Sequence, residues 1–361
     1  MRVVVIGAGL GGLCLAQGLK KAGVDVRVHE RDSGVEARFQ GYRIGLGGLG
    51  WESMKACLPE RLHPLLDATS GELSGPGRLL DPRLNQVGLD DDEPLARSME
   101  ANLVDRHVLR HLLLTDLDTT FGSRLTGYTE GGSTVRAAFA DGTEVDCDVL
   151  VGADGIGSAV RRQLIGPAVR ESTGVRGVIG RTPLEDRFAA LVPGRGTVVT
   201  DGDRQLFLGK MPFRRPPREA AAELAPDVRL PDVRSYLRWV MMLPPSADTW
   251  DLPADWHPLL HDLVGSADPD NTAMGTLEYV APADPWPTGR VTLLGDAVHP
   301  MLPAGGMGGN CALIDARRLC ETLLGDGDLA AYEQEMLAAT RPLVLSSKAM
   351  LDRFRALSVE R

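Results

Sequence analysis

Residues 2–30 read RVVVIGAGLGGLCLAQGLKKAGVDVRVHE, and this stretch decides the fold. The β-branched run Arg2–Ile6 predicts a buried strand, and residues 7–12 then supply four glycines in six positions. Apolar residues recur at helical spacing as far as Ala22, and Val24–Val28 predicts a second strand. The order of strand, tight turn, helix and strand is typical of the βαβ unit of a parallel sheet.

The glycine turn has the G-x-G-x-x-G spacing that is typical of dinucleotide binding. Gly7 would make the turn, Gly9 would let a pyrophosphate approach the backbone, and Gly12 would let the helix pack on the strand. Glu30 would accept hydrogen bonds from a ribose, whereas Arg31 beside it suits either a 2′-phosphate or a surface ion pair. A glycine-rich turn that binds nothing is the plain alternative, and the motif does not choose between NAD and FAD.

The composition of the 361 residues is that of a globular protein, with 43% hydrophobic and 24% charged residues. The formal charge of −10 disfavours nucleic acid and anionic membrane surfaces as partners, and the sequence contains no apolar run long enough to cross a bilayer. The five cysteines are scattered, without a Cys-x-x-Cys pair. We therefore expect no disulfide framework, no metal site and a cytoplasmic location.

Two later segments repeat the pattern of a buried strand followed by a turn. Residues 148–161, DVLVGADGIGSAVR, predict a strand, a tight turn and a helix capped by Ser158. Residues 290–310, RVTLLGDAVHPMLPAGGMGGN, predict a strand that ends near Asp296 and a helix that begins after a second glycine-rich turn.

With these three motifs in this order, the sequence resembles the single-component FAD-dependent aromatic hydroxylases of the para-hydroxybenzoate hydroxylase fold. The resemblance implies an α/β fold in which an antiparallel substrate sheet is inserted into a Rossmann-type FAD-binding domain, followed by a C-terminal helical segment. It implies FAD as the cofactor and NADPH or NADH as a transient electron donor, in a compact form without a C-terminal thioredoxin-like domain. The cofactor-binding residues that we expect are Gly7, Gly9, Leu10, Gly11, Gly12, Glu30, Arg31, Arg43, Arg106, Asp154, Gly295, Asp296, Pro303, Gly306, Gly308, Gly309 and Asn310.

By the same resemblance, Asp296 would bind the ribitol chain, Asp154 would lie near the pyrophosphate, and the Gly306–Asn310 backbone would lie against the isoalloxazine ring. Arg106 resembles the family arginine that reaches the FAD phosphates, and a solvated helix arginine is the alternative. Arg43 has three open roles: it could anchor an anionic substrate, contact the flavin or point into solvent.

The middle of the chain predicts an antiparallel sheet, with strand-like runs at 177–181, 205–211 and 236–242. Strand alternation places Phe207 and Met211 on one face of this sheet, without indicating which face lines the substrate pocket. The pocket candidates are Arg181, Phe207, Met211, Trp239 and Met241, and ordinary core packing is the alternative for the last two.

These observations divide the chain into three parts. We expect a discontinuous FAD-binding domain, a substrate-binding domain and C-terminal helices that are kinked at Pro342. Their boundaries are 1–72, 99–168 and 276–325 for the first, 73–98 and 169–275 for the second, and 326–361 for the third.

The expected reaction is hydroxylation or epoxidation of a small hydrophobic, aromatic or polycyclic molecule by O2, through the C4a-hydroperoxyflavin that the resemblance implies. The expected assembly is a monomer or a homodimer. A flavin-dependent dehydrogenase or oxidase on the same frame is one alternative, and a non-catalytic FAD-fold binding protein is another.

Overall fold

The computed structural model describes residues 1–73, 75–88, 101–243, 247, 249–269, 272–303, 306–325 and 327–356. The predicted segments 73–98 and 326–361 therefore lie partly outside the described residues. Over those described ranges, we find no helix with the length and apolar character that a membrane span requires.

Strands form four sheets in the described part of the chain. They are β1 (Arg2–Ile6), β2 (Asp25–His29), β3 (Arg43–Leu46), β4 (Gly71–Leu73), β5 (Gly77–Leu80), β6 (Gln86–Gly88), β7 (Ala101–Asp105), β8 (Thr119–Thr120), β9 (Leu125–Gly131), β10 (Thr134–Phe139), β11 (Glu144–Cys147), β12 (Val149–Gly152), β13 (Arg170–Pro183), β14 (Gly196–Thr200), β15 (Gln205–Met211), β16 (Tyr236–Leu243), β17 (Ala273–Val280) and β18 (Val291–Leu293).

Helices follow or connect these strands. They are α1 (Leu10–Lys21), α2 (Gly48–Cys57), α3 (His63–Ala68), α4 (Arg106–Leu114), α5 (Ala159–Leu164), α6 (Asp186–Ala189), α7 (Pro217–Leu224), α8 (Pro258–Gly265), α9 (Gly308–Leu324) and α10 (Leu329–Ala356).

The first sheet is parallel and has the strand order β18-β12-β1-β2-β8. Strands β1, β12 and β18 are rich in β-branched residues and buried, as expected for strands covered on both faces. Because the strands are parallel, the turns that follow β1, β12 and β18 meet at the same edge of the sheet. The βαβ prediction for the first thirty residues and the predicted α/β fold class are both confirmed.

The largest sheet has seven strands in the order β17-β13-β16-β15-β14-β5-β6, and only the β14–β5 pair is parallel. Its strands come from two parts of the chain, 77–88 and 170–280. The last of them, β17, ends at Val280, so the sheet extends beyond the predicted boundary at residue 275.

The two faces of this sheet have opposite character. Residues that pair directly across antiparallel strands share a face, which allows both faces to be assigned from the register. The back face carries Leu206, Leu208, Leu237, Trp239 and Met241, and it packs in a separate core with residues of α6 and α8. The front face carries Arg181, Phe207, Gly209, Arg238 and Val240.

The C-terminal segment forms one helix, α10, instead of the two segments that we expected around Pro342. Proline removes one backbone hydrogen bond but does not end a helix that packing supports. Val344 and Leu351, both beyond the proline, are fully buried against Val175 and Tyr279 of the large sheet. This contact explains why the helix continues.

Candidate functional site

The first glycine turn packs tightly against the second motif. Gly7 has a φ of +109°, and a Cβ atom there would overlap the carbonyl group of Ala153. A Cβ atom on Gly12 would overlap the carbonyl oxygen of Gly7. Gly9, the N-cap of α1, has no heavy atom within 4 Å of its Cβ position and no side-chain cap. Packing therefore requires Gly7 and Gly12, whereas Gly9 leaves open space at the helix N-terminus.

The same helix also contacts the third motif. Leu10 is buried, and a Cβ atom on Gly11 would lie 2.7 Å from Cδ1 of Leu294. The three motifs are thus brought together at one edge of the parallel sheet.

Glu30 is held beside the turn by backbone groups. Its Oε2 accepts a hydrogen bond from the N–H of Ala8 at 2.8 Å, and its Oε1 accepts one from the N–H of Asp32 at 2.9 Å. Arg110, which the sequence did not single out, donates from Nε to the carbonyl oxygen of Ala8 at 2.8 Å and lies 3.8 Å from Glu30. A carboxylate with these partners is fixed in position at the end of β2.

In the second motif, Ser158 caps α5, as the sequence predicted, and Asp154 binds the first N–H of that helix through one of its two oxygens. Its Oδ2 accepts a hydrogen bond from the N–H of Ala159 at 2.6 Å, while Oδ1 is buried with no partner among the described residues. Burial raises the pKa of this carboxyl. Arg31 is exposed, and its Nη1 lies 3.8 Å from the Cβ position of Gly157 in the same motif.

The third motif is stabilised by a buried carboxylate. Gly295 has a φ of +60°, and its N–H donates to Oδ2 of Asp315 at 3.1 Å. His299 Nε2 lies 2.5 Å from the same oxygen, and both side chains are buried. Burial opposes the charged imidazole, but the carboxylate of Asp315 outweighs it and raises the pKa of His299. His299 is thus held inside the protein by Asp315, which fits a structural role.

Asp296, Arg106 and Gly308 lie together next to these turns. Asp296 is accessible to solvent, although protein encloses it on most sides. This enclosure raises the pKa of its carboxyl, and the nearby charges of His299 and Arg106 oppose the rise. Burial lowers the pKa of Arg106, and its Nε has no partner in the described part of the chain. The Cβ position of Gly308 is 3.7 Å from Oδ1 of Asp296. An accessible carboxylate and a guanidinium group whose Nε has no partner among the described residues therefore lie beside the N-terminus of α9.

The side chain of Asn310 is occupied by protein contacts. Its Nδ2 donates to the carbonyl oxygen of Gly45 at 2.9 Å, and its Oδ1 accepts from the N–H of Gly47 at 3.0 Å. The amide thus fastens β3 and the start of α2 to α9. Pro303 and Gly306 are exposed on the approach to that helix, and Gly306 has a φ of +64°. Any contact of Asn310 with a cofactor is left to its backbone.

Strand β3 lies between the turns and the large sheet. Ile44 Cδ1 is 3.3 Å from the Cβ position of Gly309 in α9. The guanidinium group of the preceding residue, Arg43, lies where a Cβ atom on Gly209 of β15 would be. Of the three roles that the sequence left open for Arg43, this contact with β15 favours the anchoring of an anionic substrate.

Arg43 meets two more arginines on the front face of the sheet. Arg238 is the register partner of both Gly209 and Arg181. Burial and the like charge of Arg238 lower the pKa of Arg43, and burial also lowers the pKa of Arg238. Arg181 stacks on the rings of Tyr42 and Tyr236, at 5.4 and 5.7 Å from their centroids.

Buried arginines normally have hydrogen-bond partners or an acidic partner. The Nε atoms of Arg43 and Arg238 are buried without a hydrogen-bond partner among the described residues. Three guanidinium groups at this density favour an anion as the missing partner.

The structure corrects three of the five pocket candidates. Trp239 and Met241 have no exposed surface and lie on the back face, where the strand alternation directs them into the core. Met211 is on the front side but is also fully buried, in the main core with Tyr236. Arg181 and Phe207 remain as front-face candidates, and Arg238 joins them. Arg238 could not be singled out from the sequence because its face depends on the pairing of β16 with β13 and β15.

A family model described as an FAD binding domain matches residues 1–339 of the chain. The chain therefore belongs to this family of FAD-dependent hydroxylases, and the resemblance inferred from the three motifs is confirmed.

Individual relatives agree with this assignment. A dual O-methyltransferase/FAD-dependent monooxygenase of Cercospora beticola is 32% identical over 373 residues, which cover 90% of this chain and 42% of the relative. The chain thus spans about two fifths of that protein's length. An FAD-dependent monooxygenase of Trichoderma harzianum is also 32% identical, over 90% of this chain and 83% of its own length.

A solved structure from Photorhabdus luminescens, proposed to be an FAD-containing monooxygenase, has the same fold. It superposes with a TM-score of 0.77 at 28% identity and covers 99% of this chain and 98% of its own.

Proposed function

We propose that the chain is an FAD-dependent monooxygenase that takes electrons from NADH or NADPH and uses O2 to hydroxylate or epoxidise a small aromatic or polycyclic substrate. One observation carries the proposal: β3 contacts the glycine turn of α9 on one side and the arginine-lined sheet on the other. A cofactor and a separate substrate need two adjacent surfaces of this kind.

The described residues fit FAD. Gly9 leaves open space at the N-terminus of α1, and Arg106 has an unpaired Nε. These two would hold the pyrophosphate, while Glu30 and Asp296 would accept hydrogen bonds from the ribose and ribitol hydroxyls. When bound, FAD supplies the redox chemistry, which is the transfer of electrons from the nicotinamide and the activation of oxygen.

The chain supplies positive charge around this space. Neither α1 nor α9 has a side-chain cap at its N-terminus, so the N–H groups of the first turn remain available for an anion. The glycines at the start of α9 let a flat ring approach the backbone closely. Such fixed donors stabilise negative charge without having to reorganise.

The front face of the large sheet is the surface that we assign to the substrate. Phe207 and Val240 offer apolar area, and Arg43, Arg181 and Arg238 supply cationic donors beside it. Guanidinium groups bind carboxylates in a planar, bidentate manner. We therefore infer that the substrate is an aromatic molecule with a carboxylate or another acidic group.

The names of the relatives support a monooxygenase over the two alternatives, because both matched sequences and the matched structure are described as monooxygenases. We also propose the cytoplasm as the location, since the five cysteines are buried and free in the structure. The expected assembly stays a monomer or a homodimer.

Absorption spectroscopy tests the cofactor half of the proposal. Purified protein is loaded with FAD, made anaerobic, mixed with NADH or NADPH in the presence of an aromatic acid panel, and then exposed to air. We expect flavin bands that bleach with the nicotinamide and return with oxygen. Failure to take up FAD would support the non-catalytic alternative, and reoxidation that yields only hydrogen peroxide with every compound would support an oxidase.

A further inference from the structure

Two histidines and one glutamate converge on the outer surface of α4. His107 and His111 lie one helical turn apart, and the loop after β2 brings Glu36 against them. Oε1 of Glu36 is 3.0 Å from Nε2 of His107 and 3.1 Å from Nε2 of His111. All three ligand atoms lie within 4.8 Å of one another, and no other such group occurs among the residues that the structure describes.

We propose that Glu36, His107 and His111 form a binding site for a divalent transition-metal ion such as Zn²⁺. Histidines at positions i and i+4 present their rings on one helix face, and a third ligand from another element completes a three-coordinate protein site. Two imidazoles with one carboxylate suit Zn²⁺ and its neighbours, whereas Mg²⁺ and Ca²⁺ prefer oxygen ligands only. A water molecule would fill the fourth position.

The side chains are open to an incoming ion. The Glu36 side chain is 69% exposed, and those of His107 and His111 are 31% and 19% exposed. The two rings are nearly perpendicular, at 84°, with centroids 4.7 Å apart. The carboxylate already lies between the two Nε2 atoms, so binding requires the loss of hydrogen bonds to one oxygen and little rearrangement of the backbone.

The site joins two elements that border the glycine turn. Val35, next to Glu36, accepts a hydrogen bond from Arg110 Nη1 at 2.9 Å, and Arg110 in turn donates to Ala8 of the turn. α4 also begins with Arg106. A bound ion would therefore fasten the loop to the helix, and, if the proposed FAD placement is correct, it would slow the release of FAD.

The chain contains its own comparison for this site. His257 and His261 have the same i, i+4 spacing, at the start of α8. Nδ1 of His257 accepts a hydrogen bond from the N–H of Leu259, and Nε2 of His261 hydrogen-bonds the carbonyl oxygen of Pro253. No carboxylate completes this second pair within the described ranges, so we expect it to bind no metal ion tightly.

Zinc titration of tag-free, chelator-treated protein against a chromophoric competitor tests the proposal. We expect one Zn²⁺ per chain in the wild type and in H261Q. H107N, H111N and E36Q should each weaken binding on the order of 10–100-fold, because each removes one of three ligands. Circular dichroism of each variant checks whether the fold is retained.

Two results would overturn the metal site. One is the absence of Zn²⁺ binding by the wild type at millimolar metal, which would leave the cluster as a hydrogen-bonded His–Glu–His group. The other is unchanged affinity in H107N and H111N. Both readouts are independent of flavin and turnover, so they do not depend on the proposed function.

Discussion

The glycine turns and the front face of the large sheet use their residues differently. In the turns, the glycines that we propose for cofactor binding and those that pack are neighbours in one short motif, so Gly9 can be changed without a clash and Gly7 cannot. In the sheet, packing and proposed binding residues lie on opposite faces of the same strand, with Trp239 on one face and Arg238 on the other. Stability and ligand affinity should therefore separate cleanly in the sheet and only residue by residue in the turns.

The largest expected effect is on the back face. Trp239→Ala removes a fully buried indole from the core that contains α6 and α8, so we expect a loss of about 3–5 kcal/mol in the free energy of unfolding. Urea denaturation measures this loss. The matched variant Phe207→Ala, on the front face, should cost less stability and weaken the binding of an aromatic ligand. An equal loss of stability in both variants would contradict the assignment of the two faces.

The next effect concerns the first turn. Gly7→Ala introduces a Cβ atom at a φ of +109° against Ala153, so we expect the free energy of unfolding to fall by about 1–3 kcal/mol. Gly9→Ala is the control: it should unfold like the wild type and bind FAD more weakly, on the order of tenfold, because its methyl group enters the open space. If Gly9→Ala retained full FAD affinity, the pyrophosphate would lie elsewhere.

A smaller effect is expected on the front face, where one substitution should raise the stability of the protein and lower its affinity for ligand. Arg238→Gln removes a positive charge beside Arg43 whose Nε has no partner among the described residues, so the protein without ligand should unfold at higher urea concentration. The same variant should bind aromatic carboxylates about tenfold more weakly, which fluorescence titration of the FAD-loaded protein measures. Arg234→Gln, which removes an exposed ion pair with Glu219, should change neither quantity.

The smallest effect is on pH dependence. The raised pKa of His299 means that its protonated form is favoured in the folded state. Its contribution to stability is complete below the unfolded pKa of about 6.5 and is lost as the pH rises through the folded pKa. Urea denaturation at several pH values from 6 to 9 should therefore show a decline in the wild type. His299→Gln should show a flatter profile, and identical profiles would exclude an ionised His299–Asp315 pair.

The sequence predicted the parallel sheet and its three turns well because the information for them is local. The strand, the glycine turn and the acid of each motif are adjacent in the chain, and tight packing explains why Gly7 and Gly12 carry no side chain. The motif did not reveal that the side-chain amide of Asn310 hydrogen-bonds Gly45 and Gly47, because those contacts join residues more than 260 positions apart.

The proposed substrate surface on the large sheet could be predicted only in part. Alternation in β15 correctly separated its two faces, but the choice between them required the helices that cover the back face. Trp239 and Met241 resembled pocket residues because large apolar side chains serve both in cores and in pockets. We expected no metal site because the cysteines are scattered. The cluster of Glu36, His107 and His111 was missed because it forms only when the loop after β2 meets α4.

The most direct test of the proposed function is the origin of oxygen in the product. FAD-loaded protein is supplied with NADH or NADPH, ¹⁸O2 and pairs of aromatic carboxylates and their neutral amides, and the products are analysed by mass spectrometry. We predict one ¹⁸O atom in the product of a carboxylate, with faster turnover than for the matching amide. Unlabelled products, or equal rates for acid and amide, would contradict a monooxygenase that selects its substrate through Arg43, Arg181 and Arg238.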